Sequence, residues 1–325
     1  MYRRTVTLAL LAGCLLPVLP APAAAQAYPS RPIKLIVPFP AGGPSDLFAR
    51  VLGNGMSAEL GQQVVIENRA GAGGVAGVDA VAKSAPDGYT IGLNSASPLA
   101  IIPFMVSKMQ FDWQTDLSLI TLVVRVPEVM VVHPSVPARS LQELVDYARA
   151  NPSKINFASA GTGTLTQLAV ELLKIEAKID LLHVPYRGAA PAVNDLIGGH
   201  VQMATLDTPV LLPHIRSGAV KALAVTSATR SSALPDVPTT GEAGYKKVNS
   251  DNWYGLVAPA GVPADVLDKL HKAATTALRS AEVKKQLESQ DAVPSPTSPG
   301  EYAAFIKSEQ AKWGPVVTAN GIKLE

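Results

Sequence analysis

Short runs of apolar, β-branched residues alternate with segments of helical periodicity along nearly the whole chain. The runs have the length of strands, and glycine, proline or polar residues bound them. The segments between them place apolar residues three and four positions apart, as helices that cover a sheet do. This alternation predicts an α/β fold. Strands are predicted at Ile33–Val37, Val64–Glu67, Thr90–Leu93, Leu119–Val124, Val129–Val132, Ile155–Ala158, Leu181–Val184, Met203–Thr205, Ala222–Thr226 and Gly255–Ala258.

Three helices carry clear signals of their own. Ser140 to Glu143 and Ser298 to Glu301 both have the Ser-x-x-Glu spacing of a capping box, in which two side chains satisfy free amides of the first turn. Asp265 to Arg279 places its apolar residues on one face. Helices are therefore predicted to begin after Ser140 and Ser298 and to run over residues 265–279.

Two stretches predict where the chain passes between lobes. The apolar passage LITLVVRVPEVMVVH is too long for one strand and is broken at Pro127, and the stretch from Leu234 to Asn252 is polar and rich in Gly and Pro. Two crossings place the N- and C-terminal parts in one lobe and the middle in another. We predict residues 28–125 plus 252–325 as lobe 1, residues 126–251 as lobe 2, and a ligand cleft between them.

The first 27 residues read as a signal peptide. Arg3 and Arg4 precede an apolar stretch, and Ala25-Gln26-Ala27 is a small-x-small cleavage signal before Tyr28. Removing them leaves 26 basic and 26 acidic residues, because the chain has 28 Lys+Arg and 26 Asp+Glu and the segment holds two arginines. A near-neutral protein has no basic surface for nucleic acid. The sequence predicts an exported, periplasmic product.

The only cysteine, Cys14, lies within this leader. LAGC resembles a lipoprotein processing box, but only thirteen residues precede the cysteine, so lipidation at Cys14 is the less favoured alternative. The mature chain therefore has no disulfide, thiolate metal site or cysteine nucleophile. After residue 27 no apolar run approaches the ~18 residues that a membrane span needs.

The segment IKLIVPFPAGGPSDLFARVL holds the first candidate binding loop. A strand ends at Val37, PFPAGG cannot continue it, and Pro44 suits the first turn of a helix. Such a loop directs free amides and a helix N-terminus at one point, which suits a carboxylate or phosphate. The alternative is an ordinary strand-to-helix turn.

A second loop has the same design. In INFASAGTGTLTQLAVELL, a strand leads through residues 159–164, which are rich in hydroxyls and glycine amides, into another helix. Together the two loops would face each other across the cleft. By itself, this loop also fits a turn eased by glycine, with Ser or Thr as the helix N-cap.

Two charged residues follow strands and are further candidates. Asp207, after the strand Met203–Thr205, would accept from a ligand amine or hydroxyl, or else cap the helix before Pro209. Arg187 would hold a ligand carboxylate bidentately, or else form a surface ion pair.

Other chemistry lacks its sequence signature. Gly71-x-Gly73-x-x-Ala76 fits a loose dinucleotide fingerprint, but three residues separate it from the predicted strand Val64–Glu67 and no acid follows at the required place. The sequence holds no G-x-S-x-G or H-E-x-x-H, and its five histidines are scattered. We therefore predict no catalysis, no metal and no cofactor.

With these loops in place, the chain resembles the Bug-type solute-binding receptors of tripartite tricarboxylate transporters. The resemblance covers residues 28–325 and is carried by YPSRPIKLIVPFPAGGPSDLFAR, GQQVVIENRAGAGGVAGVDAVAKSAPDGYT, NPSKINFASAGTGT, HVPYRGAAPAVNDLIGGHVQM, HIRSGAVKALAVTSATRSSALPDVPTTGEAGY and WYGLVAPAGVP. It implies a two-lobed, type II-like periplasmic-binding fold with two crossover strands as hinge. It further implies a monomer that binds a small carboxylate without covalent chemistry and delivers it to membrane transporter subunits.

The resemblance also implies that loops 39–45 and 159–164 hold the ligand. Gln167, where the family often has His, and the atypical IIPFMVSKMQFDW after residues 94–98 depart from the family pattern and leave the ligand open among amino acids, di- and tricarboxylates and aromatic acids. A receptor that feeds a sensor kinase, or an exported α/β hydrolase, is the alternative. The predicted ligand-binding residues are Phe39, Pro40, Ala41, Gly42, Gly43, Ser45, Asn94, Ser95, Ser97, Ser159, Gly161, Gly163, Thr164, Tyr186, Arg187 and Asp207.

Overall fold

The computed structural model describes residues 27–324. The predicted signal peptide therefore lies outside the described residues except for Ala27, and Cys14 lies outside them as well.

Strands and helices alternate over this range, as the hydrophobic pattern predicts. In chain order the elements are β1 (Ile33–Val37), α1 (Pro44–Leu60), β2 (Val64–Asn68), α2 (Val75–Ala82), β3 (Thr90–Ser95), α3 (Trp113–Asp116), β4 (Leu117–Val132), α4 (Leu141–Ala150), β5 (Asn156–Ser159), α5 (Leu165–Ala177), β6 (Leu182–Pro185), α6 (Ala189–Ile197), β7 (Met203–Asp207), α7 (Thr208–Arg216), β8 (Lys221–Val225), β9 (Asp251–Pro259), α8 (Ala264–Arg279), α9 (Ala281–Glu288), β10 (Val293–Pro294) and α10 (Pro299–Ala319).

One strand path runs through both halves of the molecule, in the order β2-β1-β3-β9-β4-β7-β5-β6. In the first half β1 pairs in parallel with β2 and β3, and β9 joins them in antiparallel orientation. In the second half β5 pairs in parallel with β6 and β7. We call these halves lobe 1 and lobe 2. The exact residue limits of the lobes stay a prediction.

The passage that was expected to break at Pro127 is instead one strand of 16 residues, β4. Its first part pairs with β9 as far as Pro127, and from Glu128 onward it pairs with β7 and β8. Proline lacks an N–H group, so a strand accommodates it most easily where it changes partners. The two-strand prediction was wrong here because Pro127 sits at that change and not at an end.

One of the two predicted capping boxes is complete in the structure, and the other forms only one of its two hydrogen bonds. Ser298 and Glu301 form the complete capping box at the start of α10. At α4 the Ser140 hydroxyl accepts from the Glu143 amide, but the Glu143 carboxylate accepts from the Arg139 amide at 2.6 Å. The second helix therefore has a serine cap without the reciprocal bond.

Apolar side chains form separate cores in the two lobes and also bridge them. Leu165 and Leu168, near the start of α5 in lobe 2, are buried in one cluster with Ile101 and Ile102 of lobe 1. The lobes therefore meet directly beside the cleft. Within residues 27–324 no helix combines the length and the apolar character that crossing a membrane requires.

Candidate functional site

A cavity lies between the lobes, where several strand ends and helix starts meet. Both candidate loops border it, and so do the ends of β3 and β7 and the start of β9. Its lining residues are Phe39, Pro40, Ala41, Gly43, Pro44, Ser45, Ser95, Ser97, Ala160, Thr164, Thr166, Arg187, Gly188, Ala189, Ala190, Pro191, Leu206, Asp207, Asn252 and Tyr254. We call it the inner cavity.

The first loop joins β1 to α1 and presents backbone amides to this cavity. Gly42 has φ +82°, a left-handed conformation that glycine adopts without strain. Its amide donates to the carboxylate of Asp46 at 3.1 Å, and Asp46 is also paired with Arg50. Four further amides of the loop and first helical turn donate to no acceptor within residues 27–324: those of Ala41, Gly43, Ser45 and Asp46.

The second loop uses more of its donors internally than the sequence indicated. The amide of Gly161 donates to the Ser159 hydroxyl at 3.1 Å, and the amide of Gly163 donates to Oε1 of Gln167 at 2.9 Å. These side chains hold the turn. The two glycine amides are therefore not free to bind a ligand, contrary to the prediction. Gln167, a departure from the family pattern, therefore has a structural contact that explains its burial.

Hydroxyl groups of the same loop form a closed network. Thr164 donates to the carbonyl of Gly161 at 2.6 Å and lies 2.7 Å from the Thr166 hydroxyl, which also accepts from the amide of Ala160 at 2.9 Å. Both threonines line the cavity. They fix the start of α5, whose positive dipole end then points toward the cavity.

Ser159 and His183 lie close enough to suggest a nucleophile and base, with 2.7 Å between Oγ and Nε2. Ser159, however, is completely buried, and its hydroxyl also contacts the carbonyl of Gly161 at 3.1 Å. Burial, with a smaller effect of Lys174, lowers the pKa of His183 to about 4, so its ring is neutral at pH 7. This pair holds the second loop in place beneath the cavity.

Asp207 is buried at the base of the cavity and connects the two lobes. The side-chain amide of Asn252 donates to its two carboxylate oxygens, at 2.9 Å and 3.2 Å. The hydroxyl of Tyr254 donates to one of the same oxygens, and both donors come from β9. Burial raises its pKa from 3.8 to about 6, although these two hydrogen bonds act in the opposite direction. Asp207 occupies the N-cap position of α7, as the alternative interpretation placed it, but its side chain accepts no capping bond there.

Arg187 is exposed at the edge of the cavity, just before α6. No carboxylate within residues 27–324 pairs with its guanidinium, so the alternative of a surface ion pair does not apply. The first turn of α6 also lines the cavity, from Ala189 to Pro191. Together with α1 and α5, this places three helix N-termini around one space, an arrangement that favours an anion.

Strand alternation separates two of the predicted residues. Ser95 lines the cavity, whereas Asn94 does not, because successive strand residues point to opposite faces of the sheet. Both are buried, and neither side chain finds a hydrogen-bond partner within residues 27–324. The other predicted residues outside the lining are Gly42, Ser159, Gly161, Gly163 and Tyr186.

Several lining residues that were not predicted lie on elements that the hydrophobic pattern located correctly. Tyr254 and Asn252 begin β9, and their side chains reach Asp207. The segment Gly188–Pro191 follows Arg187 directly. The glycine and following alanines of RGAAP were a usable signal for a third helix start at the cleft, whereas nothing in the sequence indicated that β7 and β9 both flank β4.

The cleft is closed in this structure. A Cβ atom on Gly188 of lobe 2 would lie 3.1 Å from Cδ of Pro40 in lobe 1. A Cβ atom on Gly163 would lie 3.0 Å from Cγ1 of Ile102 and 3.0 Å from Sδ of Met105. Glycine at these two positions lets the lobes approach each other closely. Within residues 27–324 no group of three His, Cys, Asp or Glu side chains has metal-binding geometry.

Comparisons with known proteins agree with this architecture. The family "Tripartite tricarboxylate transporter family receptor" matches residues 48–322. Protein BugT of Bordetella pertussis is 40% identical over 306 residues, which is 94% of each chain. Among solved structures, periplasmic binding protein BugD superposes with a TM-score of 0.87 at 36% identity, covering 92% of this chain and 100% of BugD.

A protein from R. palustris solved with adipate gives a TM-score of 0.88 at 31% identity, covering 91% of this chain and 99% of that one. The prediction of a two-lobed periplasmic-binding fold is therefore confirmed. The chain belongs to the receptor family of tripartite tricarboxylate transporters, whose members are periplasmic solute-binding proteins and not enzymes.

Proposed function

We propose that this receptor captures a small organic carboxylate between its two lobes and delivers it to a tripartite membrane transporter. The observation that carries the proposal is the set of four amides at the start of α1 that are unpaired within residues 27–324. Three of their residues, Ala41, Gly43 and Ser45, line a cavity that two further helix N-termini also border. Backbone amides and helix dipoles stabilise an anion without a charged side chain.

The remaining lining supports a carboxylate with a polar substituent as the ligand. The hydroxyl of Ser95 is buried and unpartnered at the cavity wall, and Arg187 supplies the cation at its edge. Asp207 is a further acceptor, available to a ligand amine or hydroxyl. The relatives support this class, because solved structures of similar proteins carry adipate and malate.

No covalent step is needed, because the contacts that a ligand makes with both lobes in the closed form supply the binding energy. Ligand that contacts both lobes lowers the free energy of the closed form relative to the open form. Micromolar affinity corresponds to about −8 kcal/mol. A few charge-assisted hydrogen bonds, each about 1.5–3 kcal/mol, supply much of this amount. We further propose that the mature chain acts as a monomer, with its signal peptide removed after Ala27.

A ligand screen tests the proposal. The mature protein is partly unfolded and refolded to remove any co-purified ligand, and then examined by thermal shift and calorimetry. The panel contains amino acids, dicarboxylates, citrate-type acids and aromatic acids, each beside its carboxamide. At least one acid should raise the melting temperature and its carboxamide should not. Binding that ignores the change from acid to amide, or stabilisation by no acid in the panel, would refute the proposed ligand class.

A further inference from the structure

Asp207 places a buried acid close to the amides at the start of α1. It ends β7, it is buried, and it lines the inner cavity together with Ser45 of the first turn of α1. The hydroxyl of Tyr254 connects these two residues, because it donates to the Asp207 carboxylate and the side chain of Ser45 lies beside it. An anion held at the start of α1 is therefore close to a second, buried carboxylate.

The surroundings of Asp207 supply little positive charge. No basic side chain within residues 27–324 forms an ion pair with it. Its two donors, Tyr254 and Asn252, are neutral. Arg187, the one cation in the cavity lining, lies at the exposed edge. Nothing on the page of contacts around Asp207 therefore offsets the charge of an incoming anion at the base of the cavity.

A second carboxyl group, that of Glu128, lies opposite Asp207 in the register of β4 and β7. Oε2 of Glu128 accepts from the Ser250 hydroxyl at 2.7 Å, and Oε1 has no partner within residues 27–324. We call Glu128 and Asp207 the acid pair. The other titratable or charged groups around it are Tyr254 and Asp251 of β9, Arg125 of β4, which pairs with Asp251 at 3.0 Å, Glu309 and Lys312 of α10, Arg187 before α6, and Asp46 with Arg50 on α1.

The acid pair already holds one proton in the free receptor. Burial, and then the charge of Asp207, raise the pKa of Glu128 well above its usual range, so Glu128 is protonated at pH 7. Burial raises the pKa of Asp207 to about 6, so Asp207 is largely ionised at the same pH. A carboxylate that enters the cavity adds a like charge beside Asp207, and lobe closure removes the water that would screen it. Both effects favour the protonated form of Asp207.

We infer that the receptor takes up a proton at Asp207 when it closes on an anionic ligand, so that anion and proton are captured together. The proton comes from the solvent and forms an O–H bond at Asp207, and no other bond changes. Within residues 27–324 Oδ1 accepts from Asn252 alone, which leaves this oxygen room for the proton. The inference rests on the proposed function and adds a regulation to the same site: affinity for the anion falls as pH rises above about 6.

Calorimetry at pH 7 in HEPES and in imidazole measures the proton uptake, because the two buffers differ in ionisation enthalpy. The probes are malate, adipate and glutamate, whose carboxyl groups are ionised at this pH. The wild type should take up about 0.4 proton or more per ligand, and its Kd should rise about fivefold or more from pH 6 to pH 8. These values correspond to an affinity of Asp207 for its proton that is about tenfold higher in the complex.

Three variants locate the proton. Asp207→Asn keeps the size of the side chain and cannot titrate, so it should bind with no proton uptake and with a Kd that is constant from pH 6 to pH 8. Glu128→Gln should retain the uptake, because the proton binds at Asp207. Asp268→Asn, at an exposed position of α8, is the matched control and should behave as the wild type does.

The outcomes separate this inference from the proposed function. If the wild type binds an acid without proton uptake and with a constant Kd, the proposed function stands and the inference is overturned. Uptake that persists in Asp207→Asn, or that disappears in Glu128→Gln, also overturns it. If Asp207→Asn does not fold or bind, uptake by both the wild type and Glu128→Gln supports the inference, and its loss in either one refutes it. If no acid of the screening panel binds, the proposed function fails and the inference fails with it.

Discussion

Replacing Tyr254 by phenylalanine should destabilise the protein in a strongly pH-dependent manner. Tyr254 is buried, and its hydroxyl donates to the buried carboxylate of Asp207, which also accepts from the side-chain amide of Asn252. Phenylalanine keeps the ring and its contact with Phe48, so the variant removes the hydrogen bond and leaves almost no cavity. The remaining partner of Asp207 is then Asn252.

The expected magnitude follows from the charge on Asp207. Above its pKa of about 6 the carboxylate is ionised, and the loss of a hydrogen bond to a charged group costs about 1.5–3 kcal/mol. Below that pKa the carboxyl is protonated, and the loss of a neutral hydrogen bond costs about 0.5–1.5 kcal/mol. The free energy of unfolding should therefore fall more at pH 8 than at pH 5. At pH 8 the melting temperature should drop by about 3–6 °C.

Urea denaturation at pH 5 and pH 8 measures this difference, with Tyr302→Phe as the matched control. Tyr302 is equally buried, but its hydroxyl has no partner within residues 27–324, so its removal should cost little at either pH. An equal loss at both pH values for Tyr254→Phe would refute the link to Asp207. So would a Tyr302→Phe variant that is as unstable as Tyr254→Phe.

Two further substitutions test the closed cleft and the buried acid beside it. Gly163→Val should lower ligand affinity more than tenfold, because its Cβ would press on Ile102 and Met105 across the cleft. Gly218→Val is the control, because Gly218 has a similar φ of +74° with open space around it. It should show comparable backbone strain in thermal melts but unchanged affinity in calorimetry. Loss of affinity in both variants would show that closure is not the cause. Burial, and then the Asp207 carboxylate, raise the pKa of Glu128 well above its usual range, while Ser250 and Lys312 act against the rise and Asp251 adds to it. The folded state thus retains a proton that the unfolded state releases above about pH 4.3, so wild-type stability falls as pH rises. In urea titrations, Glu128→Gln should gain stability relative to the wild type between pH 5 and pH 9. A difference in stability that stays constant over this range would contradict a protonated Glu128.

In the candidate loops, local sequence predicts the turns but not the hydrogen bonds that depend on how neighbouring elements pack. Pro44 at the first helical position and the strand before it were enough to predict the turn at residues 38–43. The second loop has fewer free amides than its sequence predicts, because Ser159 and Gln167 accept from the amides of Gly161 and Gly163. Both partners lie within four residues of their donors, but Ser159 ends β5 and Gln167 lies in α5, so their orientation depends on how these two elements pack.

The sequence by itself determined the α/β fold, nearly every strand, the position of the two candidate loops and the two-lobed organisation, because these depend on periodicity and on the turn chemistry of Gly and Pro. Only the tertiary structure decided which residues meet in the cleft. β4 continues through Pro127 because its partners change there, and Asp207 becomes a buried link between lobes because β7 and β9 both flank β4. The pairing of Glu128 with Asp207 and of Pro127 with Asp251 joins distant parts of the chain and depends on the packing of the whole sheet, so no local pattern encodes it.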